Sequence, residues 1–465
     1  MSADLDFSSL INSIQGDVVT PESPDYAQAI ARWAANAQKK AKAVVFVKVE
    51  KDVAEVLNFA KANRLSLAVR GGGHSASGAS SVQDGIVIDL SRYMNKVIVD
   101  PELKTAAVGG GSLWEDVDKA AIQHGLATVG GTVNHTGVGG LILGGGFGFL
   151  SGSYGLAIDN LIQATVVTAD GSVLKASKSE NADLFFAIRG AGGNFGVVTE
   201  FVLRLHPQRP KVYAGLLFYP PHVLDKIIET TVNWFSSAGE KEAMIQSLTV
   251  GPDGKPVIVL IVFYNGSEAD GRKAYKPFLD LGPSLDLTKE IPYEEVNTMQ
   301  NAAAGHGKGV YMKGVAHKSP VYTSIQKAYN RFVQILETGN FQGALLFEYF
   351  PLTKIKSIAA GETAFRREDA LNIAVLLMWD PSEDRTNEAR PFAHELCETV
   401  VSGQKMSDTE ILGYTNYDPD AAGNSPVSYD KAKQSFGDNY PRLQVIKKRY
   451  DPENIFNKWF PIVPA

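Results

Sequence analysis

The spacing of apolar residues changes period several times along this chain, and each change predicts an element. Residues 43–49 (Ala-Val-Val-Phe-Val-Lys-Val) are a β-branched run that reads as a strand. Val53, Val56, Leu57 and Ala60 then recur at helical spacing, so one face of a helix is apolar there. Short strands are predicted at 65–69, 86–90, 96–99 and 104–108, followed by an amphipathic helix over 113–123 that Gly125 ends. Asp170-Gly171 turns a hairpin spanning 162–176. A short helix at 181–189 leads to a strand at 197–205. Small sheets mixed with helices therefore occupy residues 1–207.

His206-Pro-Gln-Arg-Pro210 reads as a linker. Beyond it the texture lengthens. Strands are predicted at 211–218, 244–250, 256–264, 343–350 and 371–379, with helices near 221–237, 267–279, 319–337 and 385–402. Gly251-Pro-Asp-Gly254 makes a hairpin turn, so this unit is an antiparallel sheet covered by helices. A helix over 427–449 and the segment Tyr450–Phe456 are expected to return to the first unit. The expectation is an α+β fold with domains at 1–207, 208–425 and 426–465.

Composition narrows the classes. A chain of 465 residues has ample material for core. A formal net charge of −6 and no long Lys/Arg run argue against a nucleic-acid partner. No apolar stretch approaches the roughly 20 residues that span a bilayer, so no membrane segment is expected. The single cysteine, Cys397, excludes an intrachain disulfide and a cysteine-based zinc or iron–sulfur site, and no metal is expected. Met1–Asp6 lacks a basic region followed by an apolar run, so no signal peptide is expected. The compartment stays open between the cytoplasm and a mature secreted form, and so does the oligomeric state.

Two glycine clusters carry the chemistry. Arg70-Gly71-Gly72-Gly73-His74-Ser75-Ala-Ser-Gly78 sits just after a predicted strand. Its glycines let the backbone take positive φ and aim N–H groups at an anion, and its histidine sits inside that nest. Alone, the loop is equally a plain structural turn. The second cluster is Gly137-Val-Gly139-Gly140-Leu-Ile-Leu-Gly144-Gly145-Gly146-Phe-Gly148, followed by Gly155 and Asp159-Asn160. That much glycine costs backbone entropy, which is tolerable where a chain must lie against a ligand. Neither cluster has the spacing of a Rossmann fingerprint or a P-loop. Together they predict a dinucleotide cradle of another build.

Four landmarks in this order are specific as a set: Val69-Arg-Gly-Gly-Gly-His-Ser75, the second glycine cluster, Asp183-Leu-Phe-Phe-Ala-Ile-Arg-Gly-Ala-Gly-Gly-Asn-Phe-Gly196, and Phe436-Gly-Asp-Asn-Tyr440 with Leu443 and Tyr450-Asp-Pro452. The chain is similar to FAD-linked oxidoreductases of the vanillyl-alcohol oxidase and para-cresol methylhydroxylase superfamily. Within it, the chain resembles the berberine bridge enzyme-like family from about residue 40 onward. The resemblance implies an FAD domain of the para-cresol methylhydroxylase type, built from the N-terminal part and the C-terminal tail, with a substrate domain between. It implies FAD joined to His74 through its 8α carbon. The implied cradle comprises Arg70, Gly71, Gly72, Gly73, Ser75, Gly78, Gly137, Gly139, Gly140, Gly144, Gly145, Gly148, Gly155, Asn194, Gly196, Val198 and Asn439. Many relatives add a second link from a cysteine, where this chain has Val133, so a single bond is expected. Three residues on, Thr136 stands at the position that gates oxygen in relatives, and its volume implies an open gate.

Several residues keep two readings. Arg70 touches phosphate or anchors its strand. His135 reaches the flavin edge or makes ordinary loop hydrogen bonds. Asp159 and Asn160 organise a tight loop near the cofactor, and His206 is structural. Tyr414 and Tyr417, in Gly413-Tyr-Thr-Asn-Tyr-Asp-Pro419, resemble the family segment that places a tyrosine at the flavin, with core packing as the alternative; Tyr414 ranks first as base. Alternation allows only one of Glu348 and Tyr349 onto the pocket face. The strand Asn372–Trp379 lacks the acid or glutamine found in many relatives, and Ala374 takes that position, so the catalytic set is reduced or relocated. The implied function is oxidation of a small alcohol, sugar or phenolic by hydride transfer to flavin, with O2 reduced to hydrogen peroxide. A dehydrogenase using another acceptor, or a flavin-binding protein that has lost activity, is the alternative.

Overall fold

The computed structural model describes residues 5–421 and 426–465. Four strands form the first sheet, β1 (Asp17–Val19), β2 (Ala43–Phe46), β3 (Leu67–Arg70) and β4 (Ile86–Asp89), in the order β1-β2-β4-β3. β2, β4 and β3 run parallel, with Leu67 level with Ile86 and Arg70 level with Asp89. The helix Glu50–Ala62 covers this sheet and buries Val53, Val56, Leu57 and Ala60, the residues at helical spacing. The second sheet orders β5 (Val97–Asp100), β6 (Thr105–Gly109), β8 (Leu161–Val167), β9 (Val173–Ser177) and β10 (Val197–Arg204) as β5-β6-β10-β8-β9. The β8–β9 turn works as Asp-Gly turns do. Gly171 takes φ +84°, while Asp170 accepts from the Thr168 hydroxyl and the Ser172 N–H.

The expected linker at 206–210 is corrected at its start. His206–Pro207 (β11) pairs with Leu126–Ala127 (β7). His206 also stacks on Tyr154 at 3.7 Å and bonds Asn160 Oδ1 at 2.7 Å. A third sheet of eight strands then follows the order β15 (Leu285–Asp286), β12 (Lys211–Tyr219), β14 (Pro256–Tyr264), β13 (Glu242–Val250), β18 (Gln342–Tyr349), β19 (Leu371–Trp379), β17 (Gly309–His317), with β16 (Lys289–Pro292) also on β12. β17 was not predicted. The helix expected over 267–279 is two, Glu268–Ala274 and Lys276–Leu279, and that over 427–449 breaks at Gly437–Asn439 into Pro426–Phe436 and Tyr440–Tyr450.

All nine residues of β19 are buried, on both faces. Ile373, Val375 and Leu377 pack with the helices Tyr322–Glu337 and Thr386–Val401, whereas Leu376 and Met378 pack against Trp33 of the N-terminal part. One face of the sheet is thus helical core, and the other looks toward the glycine-rich half. The C-terminal helix residues Tyr440, Leu443, Ile446 and Tyr450 join a core made of Phe185, Phe186, Phe195 and Phe201. Buried Lys447 locks that return by donating to the Asp451 carboxylate and to the carbonyls of Asn194 and Phe456. Among the described residues no helix is long and apolar enough to cross a membrane.

Candidate active site

Three glycine segments meet backbone to backbone. A Cβ on Gly72 would lie 2.5 Å from Gly137 Cα, one on Gly71 would lie 2.7 Å from the Gly110 carbonyl, and one on Gly139 would lie 3.0 Å from that same oxygen. Side chains there would push the loops apart. The middle segment, Gly109-Gly110-Gly111, escaped the sequence reading, although its triple glycine was a usable signal. Gly110 is also confined by the Val198 carbonyl, 2.3 Å from where its Cβ would stand. Gly73 and Gly78 take φ +70° and +78°. Beside this cradle the hydroxyls of Ser80, Ser81 and Ser112 and the Nε of Arg70 are buried without a partner among the described residues. Unpaired donors beside backbone free of side chains suit an anionic, oxygen-rich group such as a pyrophosphate.

Arg70 takes its anchoring reading at one end: Nη1 binds the fully buried Asp89 of the neighbouring strand at 2.8 Å. Ser75 bonds Ser77 at 2.9 Å. Gly140 is exposed with nothing near its Cβ position. Gly145 takes φ +125°, and Gly148 presses on the Gly130 carbonyl. Gly155 faces the Asp159 carboxylate, which forms a buried ion pair with Arg367 at 2.5 Å. Gly196 abuts the Val167 carbonyl. Asn194 spends its amide within the chain, donating to the carbonyls of Ala191, Trp459 and Phe460 and accepting from the Ile462 N–H. Asn439 lies near the carbonyls of Thr363 and Ala364.

His74 does not stand alone. The Trp33 ring stacks on it at 4.2 Å, and its Nε2 lies 3.1 Å from Nδ1 of His135. His306 adds a third imidazole, 4.7 Å from His135 between ring centroids. Burial, then the neighbouring His135 and His306, hold the His74 imidazole down to about 3, so it is neutral at ordinary pH. The Thr136 backbone is fixed to Val133 and Trp114, and its side chain is half-buried. Cys397 lies far along the chain in the helix Thr386–Val401, where burial pushes its thiol up to about 12.

The other side of the site comes from the large sheet and the segment after Gly413. Glu348 on β18 is 4% exposed, and Oε2 accepts from the Asn372 amide of β19 at 3.0 Å. Its Oε1 accepts from the Tyr417 hydroxyl at 2.6 Å. Alternation turns Tyr349 the other way, into the helical core. Burial raises the Glu348 carboxyl to about 7, opposed by those two hydrogen bonds. Burial, then Glu348, raises the Tyr417 phenol. Tyr417 is half-buried, whereas Tyr414 is 6% exposed. The Tyr414 oxygen accepts from the Gly146 N–H at 2.9 Å and from the Asn416 amide at 2.7 Å, fastening the second glycine cluster to this segment. Gly144 is needed there because its Cβ would strike Asn416. Ala374 does occupy the face shared by Glu348 and Asn372, and the polar groups stand one row away from it.

A glycine cradle with a stacked histidine, set against an antiparallel sheet bearing a buried acid–phenol pair, defines a two-part flavin oxidoreductase. The comparisons agree. The family described as FAD binding domain matches residues 41–177, and the one described as berberine and berberine-like matches 413–461. FAD-linked oxidoreductase pgmH of Aspergillus terreus is 36% identical over 99% of this chain and 96% of its own length. The crystal structure of 6-hydroxy-D-nicotine oxidase from Arthrobacter nicotinovorans overlays with TM-score 0.86 at 27% identity, covering 97% of this chain and 99% of that one. The carbohydrate oxidase of Microdochium nivale shares the fold, with TM-score 0.84 at 23% identity over 99% of both chains. The chain belongs to the berberine bridge enzyme-like FAD-linked oxidoreductases, and it is an enzyme that uses FAD.

Proposed function

We propose that this enzyme is an oxidase that takes a hydride from a small organic substrate in the cleft between cradle and sheet. The observation that carries the reading is the buried Glu348 carboxyl, raised to about 7, into which both the Tyr417 hydroxyl and the Asn372 amide donate. FAD held in the cradle would supply the hydride acceptor, with O2 as the proposed final acceptor and hydrogen peroxide as its product. His74 carries the flavin through a single bond, since Val133 and the distant Cys397 offer no second thiol. The three glycine segments, with Arg70, Ser75 and Val198, hold its pyrophosphate. Tyr417 accepts the substrate's hydroxyl proton and relays its own to Glu348. We assign that role to Tyr417 ahead of Tyr414, because the Tyr414 oxygen is already claimed by Gly146 and Asn416. In this reading residues 1–207 and 426–465 form the cofactor domain and 208–425 the substrate domain; the second boundary touches residues 422–425, outside those described.

The oxidase reading is tested at the step after reduction. Reduced wild type mixed with air should regain its flavin absorbance within seconds, and Thr136→Ile should slow that return by about tenfold through added volume beside the cradle. Reoxidation over minutes, with rapid turnover on an artificial dye, would assign a dehydrogenase instead.

A further inference from the structure

The strand order leaves β17 at one edge of the large sheet, and the segment around Gly413 crosses that edge. Leu412 bridges Val315 on the outer side of β17. Tyr417 then lies on the face toward the cradle, with its Cβ 2.8 Å from where a Cβ on Gly314 would stand. Three residues on, Asp420 is on the opposite face. Its carboxylate accepts from the hydroxyl of Tyr311, a residue of the helical core, at 3.2 Å and pairs with Arg390 of the helix Thr386–Val401. Gly314 and Tyr311 are an odd number of residues apart on β17, so they face opposite ways. Lys431 of the helix Pro426–Phe436 lies 3.6 Å from the Asp420 carboxylate and His394 lies 3.8 Å from it, with Lys313 also near. Asp418 closes the cluster by binding Lys431 at 3.0 Å and accepting from the Asp420 N–H at 2.8 Å. The link from Tyr417 to Asp420 is stiff. Pro419 fixes its own φ and disfavours helical backbone before it, and Asp418 is extended at φ −93°, ψ 112°.

We propose that Asp420 is a positioning residue, whose ionic clasp on the far face of β17 holds the Tyr417 hydroxyl against Glu348. The inference rests on the reading that Tyr417 and Glu348 take the proton. Tyr414 fastens the near end of the segment through Gly146, so Asp420 is the second of two anchors that set where the Tyr417 ring stands. Three extended residues reach only about 10 Å, and a shift at Asp420 therefore passes to Tyr417 instead of being absorbed by slack. The clasp also has a sign that separates it from plain charge. Of the titratable groups, Tyr417 and Tyr414 face Glu348. The hydroxyl that Tyr417 donates favours the ionised carboxyl, so losing it raises the pH at which Glu348 gives up its proton. Removing the Asp420 charge by itself acts the other way, because a nearby carboxylate disfavours ionisation.

The test is an infrared titration of the Glu348 carboxyl in the FAD-loaded enzyme between pH 5 and 9, with no substrate added. Subtracting the same titration of Glu348→Gln removes the flavin bands and every other carboxyl, including Asp118, which burial also raises to about 7. Wild type should show a midpoint at about pH 7. Tyr417→Phe should raise it by about one unit, the size of one hydrogen bond to a charged group. Asp420→Asn should raise it as well, and should add nothing in the Tyr417→Phe background, since both changes remove the same bond. Arg390→Gln loosens the clasp from its other side and should give a smaller upward shift, and Asp420→Glu should shift the midpoint less than Asp420→Asn. Midpoints in Asp420→Asn and Arg390→Gln equal to or below the wild-type value would overturn the proposal. So would an Asp420→Asn shift that adds in full to that of Tyr417→Phe, or a midpoint unmoved by Tyr417→Phe. The expected midpoints, found beside a Glu348→Gln variant whose flavin reduction keeps the wild-type pH profile, would uphold the clasp and count against the pair as proton acceptors.

Discussion

Tyr417 and Glu348 lie 69 residues apart in sequence yet share one proton across 2.6 Å, and their ionisation sets how the enzyme should respond to pH. The carboxyl is raised to about 7 because burial penalises its charge more than two hydrogen bonds recover. It accepts a proton only when ionised. Substrate-driven flavin reduction should therefore be slow below pH 6, rise through about pH 7 and level off above it. Glu348→Gln should abolish that rise and lower the plateau by roughly 10²-fold, and Tyr417→Phe should lower it comparably, while Tyr414→Phe leaves the profile in place. Anaerobic stopped-flow reduction across pH 5–9 measures this, and an unchanged profile in Glu348→Gln would remove the carboxylate from the chemistry. The sequence carried part of this site. Alternation confined the pocket to one of Glu348 and Tyr349, and the glycine clusters announced a cradle. It did not rank Tyr417 over Tyr414, because that choice depends on Gly146, 268 residues away, whose N–H claims the Tyr414 oxygen. His306 and Trp33 were hidden for the same reason, having no local pattern to mark them.

At the scale of elements, strands with a strong β-branched pattern were legible. Leu371–Trp379 was found to its exact ends, and Pro256–Tyr264 likewise. Gly309–His317 was missed because its sequence, Gly-Val-Tyr-Met-Lys-Gly-Val-Ala-His, is diluted by Gly314, which clears room for Tyr417. One element contact yields a stability prediction. Asp118, on the helix Trp114–Ile122, is 2% exposed and accepts from the Asn297 amide at 2.7 Å. Asn297 also supplies the carbonyl that holds the Asn134 N–H, one residue before His135. Burial raises the Asp118 carboxyl to about 7 from an ordinary aspartate's 3.8. Between those values the folded state keeps a proton that the unfolded state releases, so the wild type loses stability as pH rises from about 4 to 7. Asp118→Asn retains an acceptor for Asn297 and has no such loss. Its advantage should grow across that window to as much as a few kcal/mol and stay constant above it. Urea denaturation of both proteins at pH 5 and pH 8 measures this, and an equal difference at the two pH values would contradict it.

At the scale of the whole molecule, the sequence suggested a cofactor part at both ends of the chain because its landmarks recur there. The buried Lys447 cluster gives a physical reason for the C-terminal helix to dock on Asn194. Cradle and sheet meet through bridges that include Tyr414 to Gly146, Arg367 to Asp159, Asn36 to Val310, Asn297 to Asp118, and Trp33 between His74 and Leu376. The proposed bond to His74 would orient the flavin between those two halves. The direct measurement is acid precipitation of the FAD-loaded enzyme followed by mass spectrometry of its tryptic peptides. Flavin is expected in the pellet, carried by one peptide at His74, with that adduct lost in His74→Ala while some FAD stays bound through the glycine cradle. Flavin released wholly to the supernatant from the wild type, or linked at any other residue, would contradict it.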